Sequence, residues 1–254
     1  MTQTELKRLR SLVQKKFRAE TGRYLVQGRK VVAELLRSTR AIEVIVASEE
    51  GAAFITELAA ARSVSIEVLS RLELDKIGTF EKGNELIAIA ITPQTPCFRV
   101  PAPNELMLAL DGVRDPRNMG GLLRIADWFG VKRVICSNDC MEVFNPKCVQ
   151  STMGSLFRID VREVASLADE LVLHRQAGAR IYIADMDGTP AYAAALELPA
   201  VLVLGSESHG HSAAVSSMQA DVISVPRVGH AESLNVAMAA SALCMEFTRQ
   251  HLLR

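Results

Sequence analysis

Residues 111–130 read DGVRDPRNMGGLLRIADWFG, residues 204–210 read LGSESHG, and residues 224–243 read SVPRVGHAESLNVAMAASAL. Each is a polar, glycine-containing segment that follows a short apolar run, at 106–110, 200–204 and 222–225. In an open α/β sheet such segments lie beyond the carboxyl ends of the strands, where ligands collect. The three are therefore expected to meet in space and build one site.

Working outward, strands are expected at 106–110, 133–136, 180–184, 200–204 and 222–225, each followed by a loop and a helical pattern. This alternation predicts an α/β fold with a mostly parallel sheet covered on both faces. A last helix is expected over 233–251, packed through Val236, Ala240, Leu243 and Phe247, with Met119, Met238 and Met245 as core filler. Upstream, Pro93, Pro96, Pro101 and Pro103 mark a semi-rigid linker. Before it, Thr2 and Glu5 form a capping box ahead of Leu6, Leu9, Val13 and Phe17, which predicts one amphipathic helix running to Gly22. Short strands at 24–26, 42–46, 65–69 and 85–92 alternate with helices around Val32, Phe54 and 72–77, a second and smaller α/β unit. The expected division is a domain over 1–92, a linker over 93–104 and a domain over 105–254.

At 254 residues and 49% hydrophobic content, the chain can bury a sizeable core. No apolar run approaches the roughly 18 residues of a membrane span. The N-terminus MTQTELKRLR is charged from its fifth residue, so neither a membrane helix nor a signal peptide is expected, and the cytoplasm is the expected location. Cys97, Cys136, Cys140, Cys148 and Cys244 are scattered and odd in number, which suits small buried apolar groups better than disulfides or a zinc ribbon. Net charge is zero, yet residues 1–40 carry eleven Lys or Arg against three acids. This asymmetry predicts a polyanion-binding face, with a solvated helix surface as the alternative.

Several site types are poor fits. Gly205 and Gly210 have the spacing of a phosphate-binding loop, but His211 stands where that loop needs lysine. No G-x-G-x-x-G follows an early strand. His209 and His211 lack an obvious third ligand, so no metal site is expected.

Together the three segments resemble the SpoU branch of the SPOUT RNA methyltransferases. Asn118, Gly120 and Arg124 match the first motif, Gly205, Glu207 and Gly210 the second, and Pro226, Gly229, Ser233, Leu234 and Asn235 the third. Between the first two, NPKCVQSTMGSLF from Asn145 also fits, and KKFRAETGRYLVQGRKVVAELL looks like an L30e-like substrate-binding domain. The chain departs from the common pattern at Ser208 and His209, and at Gln27 where the family commonly has Glu. The resemblance implies a SPOUT-type parallel sheet with a C-terminal trefoil knot, an exception to the rule against knotted chains. It also implies S-adenosylmethionine as cofactor and RNA as substrate, rRNA rather than tRNA, in a homodimer whose site is completed near the subunit interface. Leu204, Gly205, Ser206, Gly210, Val225, Pro226 and Leu234 would hold the cofactor. Asn118, Arg124, Glu207, Ser233 and Asn235 would serve catalysis or orient the substrate.

Methyl transfer to a ribose 2′-hydroxyl needs in-line alignment and a means of favouring negative charge on a weakly acidic oxygen. A guanidinium stays protonated, so Arg124 suits alkoxide stabilisation and phosphate positioning better than proton abstraction. Ser233 and Asn235 can orient the ribose, and Glu207 can fix Arg124 or the loop. Plainer roles exist: a surface salt bridge for Arg124, caps for Asn118 and Asn235, and an idle loop carboxylate for Glu207. Other readings of the whole chain are a tRNA 2′-O-methyltransferase and a non-catalytic RNA-binding or ribosome-assembly protein. Base methylation is disfavoured by the SLNV form of the third motif.

Overall fold

The computed structural model describes residues 1–80, 83–94, 101–207 and 209–251. It divides into two compact units, 1–94 with 142–158, and 95–141 with 159–254.

The first unit begins with α1 (Gln3–Ser11) and α2 (Lys15–Thr21), where the sequence predicted one helix. Arg18 accounts for the break. Its guanidinium donates to the carbonyls of Leu12 and Val13, both at 2.8 Å, and so satisfies the acceptors that a continuous helix would have used. Leu12 is consequently buried and Val13 exposed. Then follow β1 (Arg23–Gln27), α3 (Arg29–Arg37), β2 (Ile42–Ala47), α4 (Glu49–Ala61), β3 (Ile66–Val68), α5 (Arg71–Ile77) and β4 (Leu86–Ile91). The strands form a mixed sheet in the order β1-β4-β2-β3. One face of it packs Leu25, Val44, Val46, Ile87 and Ile89 against leucines of α1 and α5. Half of the predicted linker, residues 95–100, lies outside the described residues, as does Cys97.

The second unit carries β5 (Leu106–Asp111), α6 (Pro116–Trp128) and β6 (Arg133–Ser137). After the short helix α7 (Pro146–Ser151) come β7 (Asp160–Val164), α8 (Leu167–Gln176), β8 (Arg180–Pro190), β9 (Ala200–Gly205), α9 (Ala213–Ser216), β10 (Asp221–Ser224) and α10 (Val236–His251). The six strands run β10-β8-β9-β5-β6-β7, with every pair parallel. Alternate residues Met107, Ala109, Ile181, Val201 and Val203 pack with Leu167 and Leu171 of α8 and Val215 of α9. Their neighbours Leu108, Leu110, Tyr182, Leu202 and Leu204 are buried as well, as expected of a parallel sheet covered on both faces. The sequence did not reveal β7, because DVREV is a polar edge strand with no apolar face of its own.

Residues 142–158, which contain α7, pack with residues 1–94 rather than with the second sheet. Glu142 takes both arms of the Arg18 guanidinium, Nε at 2.9 Å and Nη2. Phe144 meets Tyr24 with ring centroids 4.7 Å apart, Arg158 pairs with Glu34 at 2.6 Å, and Arg40 donates to the Phe157 carbonyl. Cys136, Cys140, Cys148 and Cys244 are buried, and none of them forms a disulfide among the described residues. Met119 is buried, but Met238 and Met245 are not core filler; both sit on the face of α10 opposite Ala240, Leu243 and Phe247.

Candidate active site

Three loops leave the same end of the second, all-parallel sheet: β5 and β9 are neighbours with Asp111 opposite Gly205, and β10 lies on the far side of β8. The first is shaped by local bonds. Gly112 donates to Ser137 Oγ at 2.9 Å, the Val113 amide reaches Cys140 Sγ at 3.3 Å, and Arg114 pairs with Asp139 at 2.8 Å. The Ser137 hydroxyl, and then Arg114, hold the Asp139 carboxyl below its ordinary range. Asp115 caps α6 by accepting from the amides of Arg117 and Asn118, and these bonds outweigh its desolvation to keep its carboxyl low as well. Asp111, buried, accepts from the Ser212 amide at 2.7 Å and so ties the first loop to the second.

The second loop closes on itself. Ser206 and Gly210 exchange both backbone bonds at 2.9 Å, and a Cβ on Gly205 would stand 2.6 Å from the Gly210 carbonyl oxygen, so only glycine fits there. The pinch sets Glu207 at the tip. Ser208 lies outside the described residues. His211 is committed elsewhere, its Nε2 2.8 Å from the Ala184 carbonyl. Among the described residues no group of three His, Cys, Asp or Glu is placed to hold a metal.

The third loop stays irregular through Asn235. Helix α10 begins at Val236, three residues inside the predicted start, because the Asn235 side chain accepts from the amides of Ala237 and Met238 and caps it. Ser233, Leu234 and Asn235 thus belong to the loop.

Glu207 binds the motifs together. One carboxylate oxygen accepts from Asn118 Nδ2 at 2.5 Å; the other accepts from Asn235 Nδ2 and, at 3.3 Å, from the Val236 amide. Asn235 also donates to Asn118 Oδ1 at 2.9 Å, which closes a triangle of three side chains from three loops. The capping role expected of Asn235 is therefore real but partial.

Beside the triangle lies a cavity of about 530 Å³. Leu204, Gly205, Ser206, Gly210, Val225, Pro226 and Leu234, the residues anticipated for the cofactor, all line it, as do Glu207 and Ser233. Asn118 and Asn235 stand behind Glu207 rather than in the wall. Arg124 is not brought to this cluster: it lies exposed on α6, makes no hydrogen bond or ion pair that the structure records among the described residues, and does not touch Glu207.

One wall was not anticipated. β10 pairs Val222 with Ile183 and then Ile223 with Thr189, so residues 184–188 of β8 bulge out between the two registers. Ala184, Asp185, Met186 and Asp187 of this bulge line the cavity. Gly188 permits it, since a Cβ there would sit 2.7 Å from the Ile223 backbone. The sequence placed these residues only in the loop after a strand ending at 184, and the Asp187–Gly188 pair is the one local signal of a bend there.

Comparison with known proteins adds a family to this geometry. Residues 105–245 match the SpoU rRNA Methylase family and residues 3–88 the MRM3-like substrate binding domain. The 23S rRNA (guanosine(2553)-2′-O)-methyltransferase of Bacillus subtilis is 30% identical over 244 residues, 94% of each chain. An AdoMet-bound rRNA methyltransferase from Sinorhizobium meliloti superposes with a TM-score of 0.85 at 28% identity, covering 100% of this chain and 97% of that one. A structure concerned with 2-OH methylation of C/U34 on tRNA gives 0.55 at 26% identity and covers 60% of this chain and all of its own.

Proposed function

This chain belongs to the SpoU rRNA methylase family, and we propose that it transfers a methyl group from S-adenosylmethionine to a ribose 2′-hydroxyl of ribosomal RNA. The observation that carries the reading is the convergence of all three motif loops on one cavity, joined through Glu207. Ribosomal RNA is favoured over tRNA because the Bacillus subtilis and Sinorhizobium meliloti relatives, alike along both units, are named for rRNA, whereas the tRNA structure corresponds to 60% of the chain.

The residues present fit the cofactor. A volume of about 530 Å³ is within the range of small-molecule sites, and most of the wall is backbone and apolar side chain. When bound, S-adenosylmethionine supplies an electrophilic methyl on a sulfonium. Leu204, Gly205, Ser206, Gly210, Val225, Pro226 and Leu234 would hold it, with Asp185 and Asp187 supplying negative charge on the wall opposite. Glu207 keeps the loops in register, Ser233 and Asn235 orient the ribose, and Asn118 fixes Asn235. Arg124 stabilises the developing alkoxide or grips a phosphate.

We further assign a homodimer, since Met238, Ala242 and Met245 form an exposed apolar stripe on α10. The trefoil knot, the cytoplasmic location and a division into an RNA-binding domain over 1–92 and a methyltransferase domain over 105–254 belong to the same reading. Among the described residues no helix is long and apolar enough to cross a membrane.

The test is transfer of radiolabelled methyl from S-adenosylmethionine to rRNA from cells lacking this gene, followed by nucleoside mass spectrometry. A 2′-O-methylated nucleoside is expected. A methylated base, or no cofactor binding by calorimetry with and without RNA, would overturn the reading.

A further inference from the structure

The chain has a single tryptophan, and it is 84% exposed at the end of α6. Trp is among the most buried residues on average, so exposure of this degree is a feature to explain. Its neighbours point to an occupant. Residues three, four and seven apart share a face of a helix, so Arg117, Gly121, Arg124 and Trp128 form one stripe along α6. Arg117 is 86% exposed at its side chain, with only a loose 3.7 Å approach to Asp115, and Arg124 has no recorded partner among the described residues. Two exposed guanidiniums and an indole on one stripe complement an anionic, aromatic chain. The exposed stripe of α10, by contrast, is Met238, Ala242 and Met245 and carries no charge until Arg249, which suits a second protein surface.

The stripe also starts at the site. Asn118, one residue after Arg117, is a corner of the Glu207 triangle; Trp128 lies about 15 Å further along the same helix, at 1.5 Å per residue. A polynucleotide with its reacting ribose near the triangle would therefore run past Arg124 to Trp128. Sequence-specific recognition of RNA favours unpaired bases stacked on aromatic side chains, with arginine beside them.

Resting on the methyltransferase reading, we propose that Trp128 is a stacking platform for an unpaired base of the RNA, a few nucleotides from the methylated ribose, with Arg117 and Arg124 tracking the intervening phosphates. Trp128 then fixes which nucleotide reaches the cavity. It contributes to substrate binding and not to the chemical step.

Because Trp128 is the only indole, its fluorescence reports the contact directly. Titration of the full chain with an oligoadenylate should quench it saturably, and the quenching should persist without S-adenosylmethionine. Trp128→Ala should raise KM for rRNA about ten- to a hundredfold, as loss of one base stack does. It should leave kcat, cofactor affinity and sedimentation behaviour within twofold, and Trp128→Phe should recover most of the loss. Fluorescence that responds to protein dilution but not to RNA, with a dissociated assembly in Trp128→Ala, would make Trp128 a subunit contact and sink the proposal. An unchanged KM in Trp128→Ala sinks it too. Failure of the enzymatic reading looks different: the wild-type chain then transfers no methyl at all, whether or not RNA quenches Trp128.

Discussion

Two polar clusters hold distant segments of this chain together, one in each unit. In the first unit Arg18 binds Glu142, 124 residues away, and the carbonyls of Leu12 and Val13. In the second, Glu207 binds Asn118, 89 residues away, and Asn235. The bonding is alike and the burial is not. Arg18 is 4% exposed, and Nε, Nη1 and Nη2 are all engaged, so nothing is left over for a ligand. Glu207 and Asn235 are exposed, and Glu207 borders the cavity. A buried charge cluster fixes a fold, whereas the same kind of cluster at the lip of a cavity positions a reaction.

The contrast predicts which variants unfold and which merely stop working. The largest effect belongs to the buried cluster: Arg18→Ala strands Glu142 and two carbonyls, and denaturant melts should show a loss of about 3–5 kcal/mol. Arg18→Met with Glu142→Met should lose less than either single change, since no charge is left unpaired. Deleting residues 1–92 should behave worse still, because it uncovers Phe144, Cys148, Val149 and Phe157. Next come the exposed groups. Arg124→Ala should cost roughly a hundred- to a thousandfold in methyl transfer with melting and cofactor affinity nearly unchanged, and Arg124→Lys should recover only part. Glu207→Gln keeps the shape but turns one acceptor into a donor facing Asn118 or Asn235, and a loss of roughly ten- to a hundredfold is expected. If Glu207→Gln unfolds the protein while Arg18→Ala merely slows it, the comparison is inverted and the site assignment falls with it.

A third buried group sharpens the rule without touching the site. His174 is wholly buried; burial first, then the charges of Arg162 and Arg133, push its pKa from 6.5 down to about 4. The unfolded chain therefore binds a proton more readily than the folded one between those values. This contribution to stability is complete above pH 6.5 and is lost as pH falls toward 4, by up to about 3 kcal/mol. Melting curves across that window should flatten in His174→Leu, and an unaltered slope would assign the acid sensitivity to other groups. The smallest effect concerns the basic N-terminus. Arg18 is buried and unavailable, so only the exposed Lys15 and Lys16 remain in that run as phosphate contacts. Reversing both should shallow the salt dependence of RNA binding by about one to two units of slope. No change would return them to a solvated surface.

Much of this was legible in the chain. The parallel sheet and the meeting of the three loops follow from short apolar runs that end in glycine-containing segments, while the cavity wall at Leu204–Ser206, Val225, Pro226 and Leu234 was anticipated from the resemblance of those segments to the family's motifs. The misses share a cause. Val13 fits a helical period and yet is exposed, because the Arg18 guanidinium takes the Leu12 and Val13 carbonyls and breaks the helix there, which no local pattern encodes. The bulge at 184–188 needs Ile223 of another strand to exist at all. Met238 and Met245 look like core residues in composition but lie on the wrong side of α10.

The sequence by itself determined which segments would be strands, which loops would carry polar groups, and which residue types would meet, since periodicity and glycine placement act within a few residues of chain. Tertiary structure alone decided that Glu207 would bind Asn118 and Asn235 rather than Arg124, that residues 142–158 would pack with the first unit, and that Trp128 would stand exposed. The physical reason is that hydrogen bonding and burial depend on distance in space, and partners 28 to 124 residues apart leave no local trace in the order of the amino acids.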